Sequence, residues 1–562
     1  MSNTTVAQDT VAVRIIAPPH FPVTWEHTDD EQLTWLHDRT HNPDPVLPLE
    51  SAFWSRVYEA FNRAAEAYEM PVRLKTRCIN TYFYMAVKTV VPPEQAEAQR
   101  GRADQSMDAA MARLGGLWTE EWLPEIRSHL AWWDAFDLTG ATVPDLLGHL
   151  EETLKRVLRL WELHFRIVLP SYIAMSQLDD LYRDLFDGDG PFGSYRLLQG
   201  FDNKTLEADR ALWDLSRRAL ASDEARRVLE TDPAAEVLAV LGKTPAGRAF
   251  RDELGAYLEE YGLRGEKWGL SYPCWIEDPT AAISNLKDYI TSSNLNRGSE
   301  QAKLAAERDQ AVAGVRERLQ DYPGPVVARF EFLLKAAQEG VVLSEDHGYW
   351  IDFGSTYRVR RVLLEFGRRL SEAGVIAQPA DVFYFSLDEV RAYAAAHHCG
   401  DRRSLVDLRR REVEHFRAVS PPPALGTDTG PPPDDPMNRF FGKFFGGPPP
   451  AVEAPDVLKG NAGSPGTVRG PARVIRSLSD AGTLQKGDVL VAETTAPPWT
   501  PLFATAAAVV TDTGGVLSHC AVVAREYRIP AVVGTGRATT TIRDGQIVEV
   551  DGDAGLVRIC PA

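Results

Sequence analysis

The segment Ala508–Glu526, AVVTDTGGVLSHCAVVARE, sets a histidine where a phosphate would be well received. An apolar run ends at Thr511, a loop with Gly514 and Gly515 follows, and Ser518 is placed to cap a helix that carries His519 in its first turn. Unpaired backbone N–H groups and the positive end of the helix dipole meet at such a point, which suits an anion. An imidazole, with an unperturbed pKa of about 6.5, is nucleophilic near neutral pH, and the phosphoramidate it forms is reactive enough to pass the group on. Gly514 and Gly515 let the backbone come close to a phosphoryl group, and Arg525 on the helix is a candidate to neutralise its charge. Taken alone, a Ser-His pair at a helix start more often marks a capped helix with a structurally satisfied histidine.

A second cluster lies in SEDHGYWID, where Glu345, Asp346 and His347 are candidates for a base that takes the proton from an acceptor hydroxyl. Such help typically contributes about 10²- to 10⁴-fold. Arg264 and Lys267 in GLRGEKW, with Arg358, Arg360 and Arg361, are candidates to hold a phosphoryl group. The competing reading of each is a solvated helix face or a structural ion pair. Five cysteines are scattered without CxxC spacing, so neither a disulfide framework nor a zinc site is expected. The run His397-His398-Cys399 follows RAYAAA and precedes Gly400, where a helix end is the simpler meaning. No metal site is therefore expected.

The elements that must position these residues fall into two classes. A chain of 562 residues is too long for one core. Residues 1–420 read as mainly helical, most clearly over 142–168, where Leu147, Leu150, Leu154, Leu158, Trp161, Phe165 and Val168 recur at helical spacing behind a Thr142/Asp145 capping pair. Residues 421–459 are dense in Pro and Gly and read as a linker; its two Phe-Phe pairs leave open that its middle packs on the helical body. Residues 460–562 switch to short Val-rich runs between Gly and Asp, the pattern of a compact α/β unit. The net charge of −18, without a Lys/Arg cluster, argues against nucleic acid. The lack of a signal-like start or an 18-residue apolar stretch argues for a cytoplasmic protein without a membrane partner.

The longer string TDTGGVLSHCAVVAREYRIPAVVGT closely resembles the signature of the swivelling phosphohistidine domain of phosphoenolpyruvate-utilising enzymes. The likeness runs on through KGDVLVAETTAPPWTPLF and TIRDGQIVEVDGDAGLVRI, across the whole C-terminal unit. It implies that His519 is the phosphohistidine, that Thr511, Gly514, Gly515, Ser518 and Arg525 shape its loop, and that an ATP-grasp domain phosphorylates it. Leu517 stands where the plant-type dikinases carry a regulatory Thr, so that regulation is not expected.

The strings EYGLRGEKWGLSYPCWIEDP, VVLSEDHGYWIDFGSTYRVRRVLLEFGRRL and AGVIAQPADVFYFSLDEV resemble the substrate-binding domain of rifampicin phosphotransferases and phosphoenolpyruvate-synthase-like proteins. Those families often carry His where this chain has Leu263. The stretch after His519 is too short for a phosphoenolpyruvate barrel, and no ATP-grasp pattern is visible. The combination resembles most the large subunit of phenylphosphate-synthase-like aryl-hydroxyl dikinases. That likeness implies a separate ATP-grasp subunit holding ATP with Mg²⁺, a small phenolic acceptor, and conversion of ATP to AMP and phosphate. The alternatives are a phosphocarrier that relays phosphate to another protein and a split antibiotic phosphotransferase.

Overall fold

The computed structural model describes residues 13–291, 297–396, 400–430, 434–447, 454 and 456–561, so His397, His398 and Cys399 lie outside the described residues. The region before residue 420 is mostly helical and the C-terminal region is an α/β sheet unit, as the sequence pattern predicts.

The helical body also holds a small antiparallel sheet of β1 (Val13–Ile15), β2 (Thr34–His37), β3 (Val72–Ile79), β4 (Tyr82–Thr89) and β5 (Ala424–Asp428), in the order β1-β5-β2-β4-β3. The β3–β4 hairpin turns on Asn80 and Thr81, both at positive φ (50° and 67°). That is the twist a two-residue hairpin needs, although Asn-Thr lacks the usual glycine signal. The fifth strand comes from the Pro/Gly-rich segment, which is therefore not linker throughout.

Seven helices bear on the site: α1 (Pro48–Ala67), α2 (Val143–Leu185), α3 (Lys204–Ala221), α4 (Gly324–His347), α5 (Gly354–Glu372), α6 (Pro436–Phe445) and α7 (His519–Glu526). The spine is α2, at 43 residues. Thr142 accepts from the Asp145 amide at its start. Pro170 inside it cannot donate to the Arg166 carbonyl; the Tyr68 hydroxyl does so instead, at 2.6 Å. Against α2 lies α4, and Gly340 makes the approach possible, since a Cβ there would stand 2.9 Å from the Ser171 Cα. A π-helical segment, Gly348–Phe353, joins α4 to α5. Its wider turn shifts the side-chain register, a device common at functional sites.

In the C-terminal unit an eight-stranded sheet runs β6-β13-β12-β8-β9-β10-β11-β7, with β6 Val457–Lys459, β7 Asn461–Ser464, β8 Thr467–Val474, β9 Val489–Ala492, β10 Ala508–Thr511, β11 Ala531–Val533, β12 Ile547–Asp551 and β13 Leu556–Ile559. Strands β8 to β11 pair in parallel. Their residues, such as Val489–Ala492 and Ala508–Val510, are wholly buried, as parallel strands covered on both faces should be. No helix among the described residues is long and apolar enough to cross a membrane.

Candidate functional site

The helix α7 begins where β10 ends its loop, and His519 occupies the first helical position behind Ser518. Gly514 has φ +101°, a conformation that L side chains rarely adopt. The Ser518 Oγ is buried and finds no hydrogen-bond partner among the described residues. Thr511 holds the strand end: its hydroxyl donates to the Thr513 carbonyl at 2.8 Å, and its own carbonyl accepts from the Thr535 amide and hydroxyl.

The loop leans on α6. The Gly515 amide donates to the Phe444 carbonyl and the Leu517 amide to the Lys443 carbonyl, both at 2.8 Å. These carbonyls belong to the last turn of a helix, which has no partners of its own for them. A Cβ on Gly515 would meet the Lys443 oxygen at 2.2 Å, so only glycine permits this approach. On its other face α6 is fixed to α2: Lys443 Nζ pairs with Asp179 and Asp180 at 2.7 Å, and Phe440 stacks on Tyr172. Leu517 is buried in the apolar cluster that includes Leu169, Ile173 and Phe440 of the helical body.

This packing carries His519 to α4. Its Nδ1 stands 3.4 Å from Glu345 Oε1, and its Nε2 stands 3.4 Å from the Thr500 hydroxyl. The side chains of His519 and Glu345 are 15% and 8% exposed, so water screens the pair little. The other Glu345 oxygen accepts from the Thr205 hydroxyl at 2.8 Å, near the start of α3. Burial would raise the Glu345 pKa, but His519, the hydrogen bonds from His519 and Thr205, and His347 together hold it below the usual carboxylate value. The carboxylate is therefore ionised beside the imidazole.

Residues 484–555 match the mobile domain of PEP-utilising enzymes, and residues 164–345 match the fourth domain of rifampicin phosphotransferase. Over these two stretches the chain is similar to PEP-utilising enzymes and to rifampicin phosphotransferase. A chondramide synthase of Chondromyces crocatus is 42% identical over 96% of the chain, which covers 14% of that protein. An uncharacterized phosphotransferase of Bacillus subtilis and a rifampicin phosphotransferase of Streptomyces sviceus are each 31% identical over 76% of the chain, covering 50% and 48% of their lengths. The chain thus spans about half the length of these phosphotransferase relatives.

Of the residues singled out in sequence, the structure brings Glu345 to the mobile-domain histidine and disperses most of the others. Asp346 points away and accepts from the Lys204 amide at 2.7 Å, capping α3; burial pushes its pKa up to about 6. His347 turns back into the helical body, with Nδ1 donating to the Leu343 carbonyl at 2.8 Å and Nε2 facing Asp352 at 3.6 Å. Burial lowers its pKa against the pull of Asp352. Arg525 does not present its charge to the loop's anion position. It donates to the Gly463 and Val516 carbonyls at 2.7 and 3.0 Å and lies over the Tyr195 ring, so it holds the loop from behind.

The basic residues of the helical body divide in the same way. Arg358 and Arg361 both turn to Asp134 at the end of the helix Leu123–Asp134, a structural pairing away from His519. Arg360 is held by Glu277 and the Leu270 carbonyl, and Lys267 by Asp44. Arg264 differs: it is buried over the rings of Trp275 and Phe353, and its Nε has no hydrogen-bond partner among the described residues. The sequence reading missed Thr500, Thr205, His164 and Asp352. Asp352 lies in the same string as Glu345 and was within reach of a spacing argument, whereas Thr205 and His164 come from distant helices and carry no local signal.

Proposed function

We propose that this chain is the phosphoryl-carrying and acceptor-binding part of a dikinase-type phosphotransferase. A nucleotide-binding ATP-grasp partner, with Mg²⁺ neutralising the phosphates of ATP, phosphorylates His519. The mobile domain then delivers the group to the hydroxyl oxygen of a small aromatic acceptor, whose proton passes to solvent, with ATP and water going to AMP and phosphate overall. The observation that carries this reading is the ionised Glu345 against Nδ1 of His519. A carboxylate there holds the proton on Nδ1 while the domain is docked and so prepares Nε2 as the leaving nitrogen, the logic by which an acid orients a catalytic imidazole. The phosphoryl group is then carried on Nε2, beside the Thr500 hydroxyl. When the P–N bond breaks, its electron pair returns to Nε2 and the imidazole leaves neutral, because Nδ1 already holds a proton. Arg264, buried over aromatic rings with an Nε unpartnered among the described residues, is the basic residue best suited to an anionic group on the acceptor side.

The test is acid-labile radiolabel on the protein after incubation with labelled ATP, Mg²⁺ and the ATP-grasp partner, followed by a chase with phenols. His519→Ala should take up no label, and a variant that did so would refute the reading. A second reading draws on the chondramide synthase likeness: the phosphoryl group activates one partner for a bond-forming condensation. In the chase this would release free phosphate with the condensed product, where the first reading leaves a stable phosphate ester.

A further inference from the structure

Near Glu345 in the chain lies most of a largely buried cluster, with His164 half-buried, that phosphoryl transfer as described does not use. His164 of α2, His347 at the end of α4 and Asp352 of the π-helical segment each offer one ligand atom, and all three atoms lie within 4.8 Å of one another. The Asp352 carboxylate is shared between two imidazoles. Its Oδ1 meets His164 Nδ1 at 2.7 Å and its Oδ2 faces His347 Nε2 at 3.6 Å, and the two rings lie 4.6 Å apart at 73°.

The two contacts are not alike. The first is a hydrogen bond; the second is too long to be one. His347 donates through Nδ1 to the Leu343 carbonyl at 2.8 Å, which leaves the Nε2 lone pair directed at a carboxylate oxygen. Two lone pairs facing one another between side chains only 8% and 6% exposed call for a cation between them. Donors of a tetrahedral ion at about 2.1 Å stand roughly 3.4 Å apart, close to the 3.6 Å observed. A backbone carbonyl on the far nitrogen is also the support that metal-bound histidines commonly have.

We propose that His164, His347 and Asp352 form a binding site for one divalent first-row transition ion. Two imidazoles and one carboxylate select Zn²⁺, Co²⁺ or Mn²⁺ over Mg²⁺ and Ca²⁺, which take oxygen ligands. Binding gives up the His164–Asp352 hydrogen bond and releases a proton to solvent wherever an imidazole nitrogen must shed one to ligate. The ion joins α2 to the α4/π-helix junction, two residues beyond Glu345, and so stiffens the segment that faces His519.

The experiment is metal analysis of the full chain, stripped with chelator and titrated with Co²⁺. Saturable uptake of one equivalent is expected, with the visible d–d bands of a low-symmetry site with nitrogen ligands, displacement by Zn²⁺, and a higher melting temperature. His347→Gln and Asp352→Asn should lose the bands and the thermal shift while keeping the wild-type circular dichroism. Absence of saturable uptake by the wild-type chain would overturn the proposal, and so would unchanged Co²⁺ bands in either variant. These readouts need no ATP-grasp partner, so the site can fail while the phosphohistidine reading stands, and the reverse.

Discussion

On the mobile-domain side of His519 every contact comes from nearby chain: Thr500 precedes it by nineteen residues, and Gly514 to Ser518 lead directly into its helix. On the other side the wall is gathered from afar, with Glu345 on α4, Thr205 on α3, and the α6 carbonyls that receive the Gly515 and Leu517 amides. On the proposed function the first side is a cradle that stays with the histidine when the domain moves, and the second is met only when the domain is docked. In that reading the residues for carrying the group come from one stretch of chain, Thr500 to His519, and those for delivering it are divided among three helices.

The sharpest break of this comparison is Glu345→Gln. An amide still fills the space but no longer enforces the proton on Nδ1, so label uptake by His519 should persist while its discharge to acceptor slows by about 10²- to 10⁴-fold. Rapid-quench measurement of both half-reactions would check this, and equal slowing of the two would erase the division. Next comes Gly515→Ala. Its Cβ would stand 2.2 Å from the Lys443 carbonyl of α6, so docking should weaken and discharge should slow, with uptake preserved.

A stability effect sharpens the cradle side. Arg525→Ala removes two hydrogen bonds from a buried guanidinium to backbone carbonyls. It should destabilise the mobile domain by about 3 kcal/mol, read as a shift of its urea midpoint. On the helical side Asp346 gives a pH signature. Its pKa is raised from 3.8 to about 6 in the folded chain, so its contribution to stability is complete below pH 3.8 and is lost as pH rises through about 6. Asp346→Asn keeps an acceptor for the Lys204 amide. Its stability relative to wild type should therefore rise across that window by up to about 2–3 kcal/mol, as thermal melts at pH 4 and pH 7 would show. The smallest effect belongs to Arg358→Ala. Its partner Asp134 is about half exposed, and such a pair is worth about 0–1 kcal/mol; discharge should be unchanged.

The sequence by itself determined the division into a helical body and an α/β unit, because hydrophobic period is a local property. It also marked the histidine, because a strand, a glycine pair, a serine at the N-cap position and a helix start follow one another closely in the chain, and their backbone geometry follows from their types. It flagged Glu345, Asp346 and His347 together but had no means of ranking them. Neighbours on a helix point about 100° apart, so only packing decided that Glu345 faces His519, Asp346 caps α3 and His347 turns to Asp352. The same holds for Arg358 and Arg361, whose charge is plain in sequence but whose partner, Asp134, is set by how α5 lies on the helix before it. The Pro/Gly-rich segment is the clearest case. Its composition reads as linker, yet Phe440 and Phe444 have an apolar face of α2 to cover, and burying them draws α6 onto the histidine loop. The Phe-Phe pairs admit such packing, but the surface that receives them lies some 270 residues earlier in the chain, so no local pattern says where they go.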